Sequence, residues 1–150
     1  MRVVVQRVSE ASVKIDGNFK GEIKKGFLLL VGIEQNDTKE DVEWLAKKTT
    51  SLRVFSDEEG KMNLDIHQVG GDILVISQFT LHAKYKKGTR PSFINAARPD
   101  QAIPLYELFK TELSNYLGKP IKSGEFGAMM AVGLVNDGPV TILLDTKNKE

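Results

Sequence analysis

The sequence predicts an α+β fold, with largely antiparallel sheets curled toward a barrel and two main helices packed on one side. Three observations carry this reading. Strand-like runs fill the chain before the first helical pattern, which disfavours a doubly wound parallel sheet. Helical periodicity appears in only two segments, and the last third returns to strand. The 150 residues, 41% hydrophobic and 27% charged, suit one domain over 1–150 with a single core.

"RVVVQRVSEASVKI" alternates and is rich in β-branched residues, as a strand should be. "VKIDGNFKGEI" places alternating runs on either side of Asp16-Gly17, a strong hairpin signal. "FLLLVGI" reads as a buried strand. Thr38 with Asp41 resembles a capping box at the start of a helix whose inward stripe is Val42, Leu45, Ala46 and Thr49. "RVF" is a short strand, "SDEEGKMNLD" a polar excursion, and "DILVISQFTL" an apolar strand that ends in polar residues. "HAKYKKGTRPSFINAARPD" is a basic loop. The second helix has Asp100 as its cap and Leu105, Leu108, Phe109, Leu113, Tyr116 and Leu117 on one face, with Gly118 and Pro120 as its stop. "AMMAVGLV" and "VTILLD" read as two strands on either side of the turn-like "NDGPVT".

Twenty-one basic against twenty acidic residues leave a net charge of +1, so the global charge argues for no nucleic-acid partner and any basic surface is local. The absence of cysteine excludes disulfides, thiol nucleophiles and thiolate metal sites. His67 and His82 stand fifteen positions apart and read as loop residues, so no metal site and no cofactor are expected. The N-terminus lacks a secretory apolar region and "FLLLVGI" is too short to span a bilayer, so a cytoplasmic protein without membrane attachment is expected. Neither a nucleophile elbow nor a glycine-rich phosphate loop is present.

Three stretches remain. In "SQFTL" an apolar strand ends by presenting Ser77, Gln78 and Thr80 around Phe79. Strand ends offer free backbone N–H groups to a ligand, although the same hydroxyls could simply satisfy the sheet edge. Lys84, Lys86, Lys87 and Arg90 are interleaved with Tyr85 and Phe93, a pattern that suits phosphates with a base to stack on, or a solvated charged loop. In "NDGPVT" the Gly138-Pro139 bond is of the one type with an appreciable cis population. A cis bond there would turn two carbonyls to the same side.

Together "SQFTL" and "GEFGAMMAVGLVNDGPVT" resemble the two signature motifs of the D-aminoacyl-tRNA deacylases, in their bacterial-type form. "MRVVVQRVSEASV", "KMNLD" and "KGTRPSF" resemble that family as well, so the likeness runs from Met1 to about Asp145. The resemblance implies a homodimeric hydrolase that cleaves the ester between a D-amino acid and the terminal ribose of tRNA. Mischarged glycyl-tRNA is implied as a second substrate. It further implies that Gly138-Pro139 is a cis dipeptide inserted into the partner subunit's active site, with Arg7 holding it in place. Ser77, Gln78, Phe79 and Thr80 would form the catalytic end, and Lys84, Lys86, Lys87 and Arg90 would meet tRNA phosphates. Two mechanisms stay open: Thr80 as nucleophile, or the backbone N–H groups of Phe79 and Thr80 stabilising an oxyanion with help from the substrate's 2′-hydroxyl.

Overall fold

A computed structural model describes residues 1–150. Its elements run β1 (Arg2–Ile15), β2 (Asn18–Ile23), β3 (Gly26–Gly32), α1 (Lys39–Thr50), β4 (Phe55–Ser56), β5 (Met62–Leu64), β6 (Asp72–Ser77), a 3-10 turn (Phe79–His82), α2 (Pro99–Leu117), β7 (Lys122–Ser123) and β8 (Ala131–Asp145). No helix is long and apolar enough to cross a membrane.

β1 organises the main sheet. Along one edge it pairs antiparallel with β3 through Arg2–Val8 and then with β2 through Ala11–Ile15. Along the other it pairs with β8 over nearly its whole length. β3 continues in parallel to β6, and β6 to β7. Three of the five pairings are thus antiparallel; the two parallel ones follow the helical crossovers through α1 and α2. β2 folds over onto the far strands, so that a Cβ at Gly21 would lie 3.4 Å from Leu74 and 3.5 Å from Lys122. The sheet therefore curls almost into a barrel, as the sequence suggests.

The continuous apolar run of β3 is explained by burial on both faces. Phe27, Leu29 and Val31 join Ile73 and Val75 beneath the two helices, while Leu28 faces Leu74, Ile76, Val8 and Val13 in a second cluster inside the curl. β1 serves both clusters in succession: Val3 and Val5 belong to the first, Val8, Ala11 and Val13 to the second. Its change of face coincides with breaks in the β1–β8 register around Arg7 and Ser9.

Both helices lie against the first cluster. α1 buries Val42, Leu45, Ala46 and Thr49, the expected stripe. Asp41 Oδ2 accepts the Thr38 N–H at 2.9 Å, the return arm of a capping box. The face of α2 differs from expectation. Ala102, Tyr106, Phe109, Leu113 and Leu117 are buried, a clean 3.6-residue stripe, whereas Leu105 and Leu108 only flank it and Tyr116 is exposed. Asp100 is not the cap either. Arg98 occupies that position and Pro99 opens the helix, where its missing N–H costs nothing. Gly118 closes it with φ 76°.

Beyond β8, Lys147 Nζ meets the two Asp41 carboxylate oxygens at 3.0 and 2.9 Å, tying the end of the sheet to the first turn of α1. Partial burial pulls the Asp41 pKa upward, but hydrogen bonds from Lys147, Thr146 and the Thr38 N–H outweigh it and bring it down to about 2.

Candidate active site

Two places in this fold carry unusual geometry, one at the end of β6 and the other in the middle of β8. The first is the polar end of β6. Its last residue, Ser77, pairs with Val31, and the Gln78 N–H donates to the Val31 carbonyl at 2.7 Å. The chain then turns tightly: the Leu81 N–H reaches Gln78 O at 3.2 Å, and the Ala83 N–H reaches Thr80 O at 3.1 Å. Phe79 and Thr80 open this 3-10 turn, so their N–H groups have no acceptor within it. Arg2 fastens the turn from outside, donating to Leu81 O at 2.9 Å while its Nε pairs with Asp145 at 2.8 Å.

The Thr80 hydroxyl lies 2.5 Å from the Gln78 side-chain amide. An amide cannot take a proton, so this contact orients the hydroxyl without activating it. His82, in the same turn, is buried against β3, where a Cβ at Gly32 would lie 3.0 Å from its ring. The loop placement expected for His82 is thus wrong; it closes the turn onto the sheet. His67 is exposed, as a loop residue should be.

Beside the turn is a cleft of about 380 Å³. Ser77, Gln78 and Phe79 line one side, and Phe126, Met129 and Met130 the other. The conjunction of "SQF" with "FGAMM" in one apolar cavity is the clearest sign that the two motifs work together. On the far wall, Phe126, Met129 and Met130 fall within the motif "GEFGAMMAVGLVNDGPVT", but the sequence assigns them no role of their own, because they are of the types that ordinarily fill a core.

The second place is "NDGPVT". The two strands expected around a turn are one strand. β8 pairs with β1 on both sides of the motif and never reverses direction. Gln6 faces Thr141 and Val8 faces Asn136, so Arg7 alone stands opposite the four residues Asp137 to Val140. The motif is therefore a bulge, in which extra residues are pushed out of an otherwise continuous ladder. Turn-forming residues are right for it, but the partner that makes it a bulge lies about 130 residues away in sequence.

The bulge is braced from several sides. Arg7 donates from Nε to the Asp137 carbonyl at 2.9 Å and from Nη1 to the Val54 carbonyl at 2.6 Å, with its side chain largely buried. Asn136 closes the base, accepting the Val140 N–H at 3.1 Å and donating to Thr141 Oγ1 at 2.9 Å. The Gly138-Pro139 peptide bond is cis, and both residues are exposed.

Arg7 aligns with Phe27 and hence with Ile73, whereas Ser77 stands four residues further along β6. At about 3.3 Å per residue and about 4.8 Å per strand, bulge and turn are roughly 13 Å apart along the strands and roughly 14 Å across them. None of the bulge residues Asp137 to Val140 lines the cleft beside the turn.

The basic residues form a separate feature. Lys84 and Ser92 exchange hydrogen bonds of 2.7 and 2.8 Å, closing the segment between them into a tip. Lys84, Lys86, Lys87 and Arg90 are all exposed on it, and so is Tyr85.

The profile of the family described as D-Tyr-tRNA(Tyr) deacylase matches residues 4–145. The chain belongs to this deacylase family. D-aminoacyl-tRNA deacylases of Phocaeicola vulgatus and Bacteroides fragilis are 65% and 63% identical to it over 150 residues, covering each protein completely. Among solved structures, one titled "c-Myc DNA Unwinding Element Binding Protein" superimposes on the deacylase chain with TM-score 0.92 at 41% identity, covering 97% of this chain and 99% of that one. A structure titled as a probable eukaryotic D-amino acid tRNA deacylase gives TM-score 0.80 at 17% identity over 95% of this chain and 97% of that one, a likeness of fold alone. In this deacylase, then, the family motifs occupy the β6 end, the cleft beside it and the β8 bulge.

Proposed function

We propose that this hydrolase releases D-amino acids from tRNA and refuses L-amino acids by means of the backbone at Gly138-Pro139. Family membership makes the chain an enzyme of the aminoacyl-tRNA ester bond; the stereochemical filter is our reading of the site. The observation that carries it is the bulge itself: four residues thrust out of a continuous strand, exposed at the tip and braced by Arg7 and Asn136. D and L esters held by the same carbonyl differ by exchanging the α-hydrogen and the side chain. Stiff backbone set against the α-hydrogen leaves no space for a side chain there. An L residue that fits anyway leaves a backbone carbonyl unpaired, at roughly 1–3 kcal/mol. The filter ignores side-chain identity, so many D-amino acids pass, and achiral glycine passes too.

The separation of bulge and turn supports a homodimer in which each bulge serves the other subunit's cleft. β8 offers the surface for it. Its outer edge has no partner strand, and Leu134, Val135 and Leu143 are exposed along it. In the cleft, the Phe79 and Thr80 N–H groups stabilise the oxyanion as water adds to the ester carbonyl, with the 2′-hydroxyl of the terminal adenosine assisting and tRNA leaving with its hydroxyl restored. Ser77 and Gln78 position that adenosine. Lys84, Lys86, Lys87 and Arg90 meet acceptor-stem phosphates, so added salt weakens tRNA binding. We place this chiral proofreading in the cytoplasm, and it requires no cofactor or metal.

The test is direct: D-aminoacyl-tRNA is cleaved, its L counterpart survives, and a substrate ending in 2′-deoxyadenosine is cleaved far more slowly. Equal cleavage of D and L esters overturns the filter. The solved relative whose title names DNA binding favours a second reading, a nucleic-acid-binding protein without catalysis. Such a protein leaves the D ester intact.

A further inference from the structure

The basic tip and the turn at the end of β6 are joined through two aromatic rings. Phe79 is 55% exposed for so large an apolar side chain, yet its ring is not free. It meets Phe93 edge to face, with ring centroids 5.1 Å apart and planes at 79°. Phe93 follows immediately on the Lys84–Ser92 clamp that closes the tip. Its carbonyl accepts the Ala96 N–H at 3.0 Å. The next residues are sewn to the end of β3: the Gln35 N–H donates to Asn95 O at 3.1 Å, and the Ala97 N–H donates to Ile33 O at 2.9 Å.

The backbone of the turn is anchored to its surroundings at its two ends. Gln78 anchors the entry through Val31, and Arg2 anchors the exit through Leu81. Between these points the Gln78–Phe79 peptide, which carries the Phe79 N–H, is fixed by the Leu81 N–H on Gln78 O at 3.2 Å, whereas the Phe79–Thr80 peptide has no backbone partner within the turn, so the orientation of its one N–H, that of Thr80, depends on how Phe79 is held. Phe93 supplies that rest from a segment fixed independently to β3. We infer that Phe93 is a positioning residue for ester cleavage: it holds the Phe79 ring and thereby aims the Thr80 N–H, and it links that aim to the seating of the phosphate-binding tip. This rests on the oxyanion role proposed above for Phe79 and Thr80.

The experiment measures single-turnover cleavage of D-aminoacyl-tRNA, and kcat and KM separately, for the full-length protein and for Phe93→Ala, Phe93→Leu and Phe93→Tyr. Wild-type cleavage tests the function itself; if wild type leaves the ester intact, that reading fails before any variant is compared. Given an active wild type, Phe93→Ala and Phe93→Leu should lower kcat by about tenfold with KM changed less than about twofold, while Phe93→Tyr restores the rate. Should Phe93→Ala fail to fold, as judged by circular dichroism, the near-isosteric Phe93→Leu decides the matter. A folded Phe93→Leu with wild-type kcat overturns the inference, and so does a loss confined to KM, which would make Phe93 a part of tRNA binding only.

Discussion

A Cβ added at Gly138 would lie 2.9 Å from Arg7 Nη2 and 2.9 Å from Val140 Cγ2, on a backbone with φ 135° that L side chains rarely adopt. The conflict is with the side chain that braces the bulge, so Gly138→Ala should displace the dipeptide without unfolding the sheet. We expect D-aminoacyl-tRNA cleavage to fall roughly a hundredfold, with the melting temperature shifted by only a few degrees. Unchanged cleavage by a folded variant would remove the bulge from the site. Thr80 predicts the opposite. Its hydroxyl meets only the Gln78 amide, which cannot serve as a base, so Thr80→Ala should keep most of the single-turnover rate; a loss of several orders of magnitude would make the hydroxyl the nucleophile. At this scale the sequence was informative wherever chemistry is local. Gln78 and Thr80 could be singled out because polar residues ending an apolar strand are conspicuous. Arg2 could not, because its contact with Leu81 O spans 79 residues of sequence.

Individual elements show where local signals compete. Asp16-Gly17 makes a hairpin turn with both residues at positive φ, 52° and 77°, as its composition implies. "NDGPVT" contains the same Asp-Gly pair and makes a bulge, because β8 finds β1 again on the far side of it. Residue type does not separate the two cases; the distant partner does. In α2, Asp100 looked like a cap, yet Pro99 already marks the first helical residue and leaves that place to Arg98. α1 carries a testable electrostatic link. Asp41 has its pKa lowered in the folded state, so the stability it contributes is present above the unfolded value near 3.8 and is lost as pH falls toward 2. Lys147→Ala removes a principal cause of that lowering. The stability gap between wild type and variant, measured by denaturant titration, should be full above about pH 5 and close as pH falls toward 2. A gap that does not change with pH would mean that the Lys147–Asp41 contact is not what depresses Asp41.

At the scale of the whole molecule, the proposed homodimer with sites shared between subunits can be tested by mixing. A protein with a disabled cleft and a protein with a disabled bulge are each inactive. Exchanged into heterodimers, they should regain activity, because one of the two composite sites is then intact and the other carries both lesions. The absence of any recovery would place both features in a single subunit. The overall architecture was legible because hydrophobic periodicity marks which face of each strand and helix is buried. The open edge of β8 was not, since it depends on pairings between the two ends of the chain. That pairing also sets a rule for altering the filter. β8 is locked to β1 before and after the bulge, so a residue inserted or deleted there has only two places to go. Either it stays in the bulge and moves the dipeptide, or it slips the ladder and turns Ile142 and Leu144 away from the core they pack against. The two flanking ladders act as a ruler: the chemistry of the filter can be rewritten by substitution, but its length is fixed by the sheet that carries it.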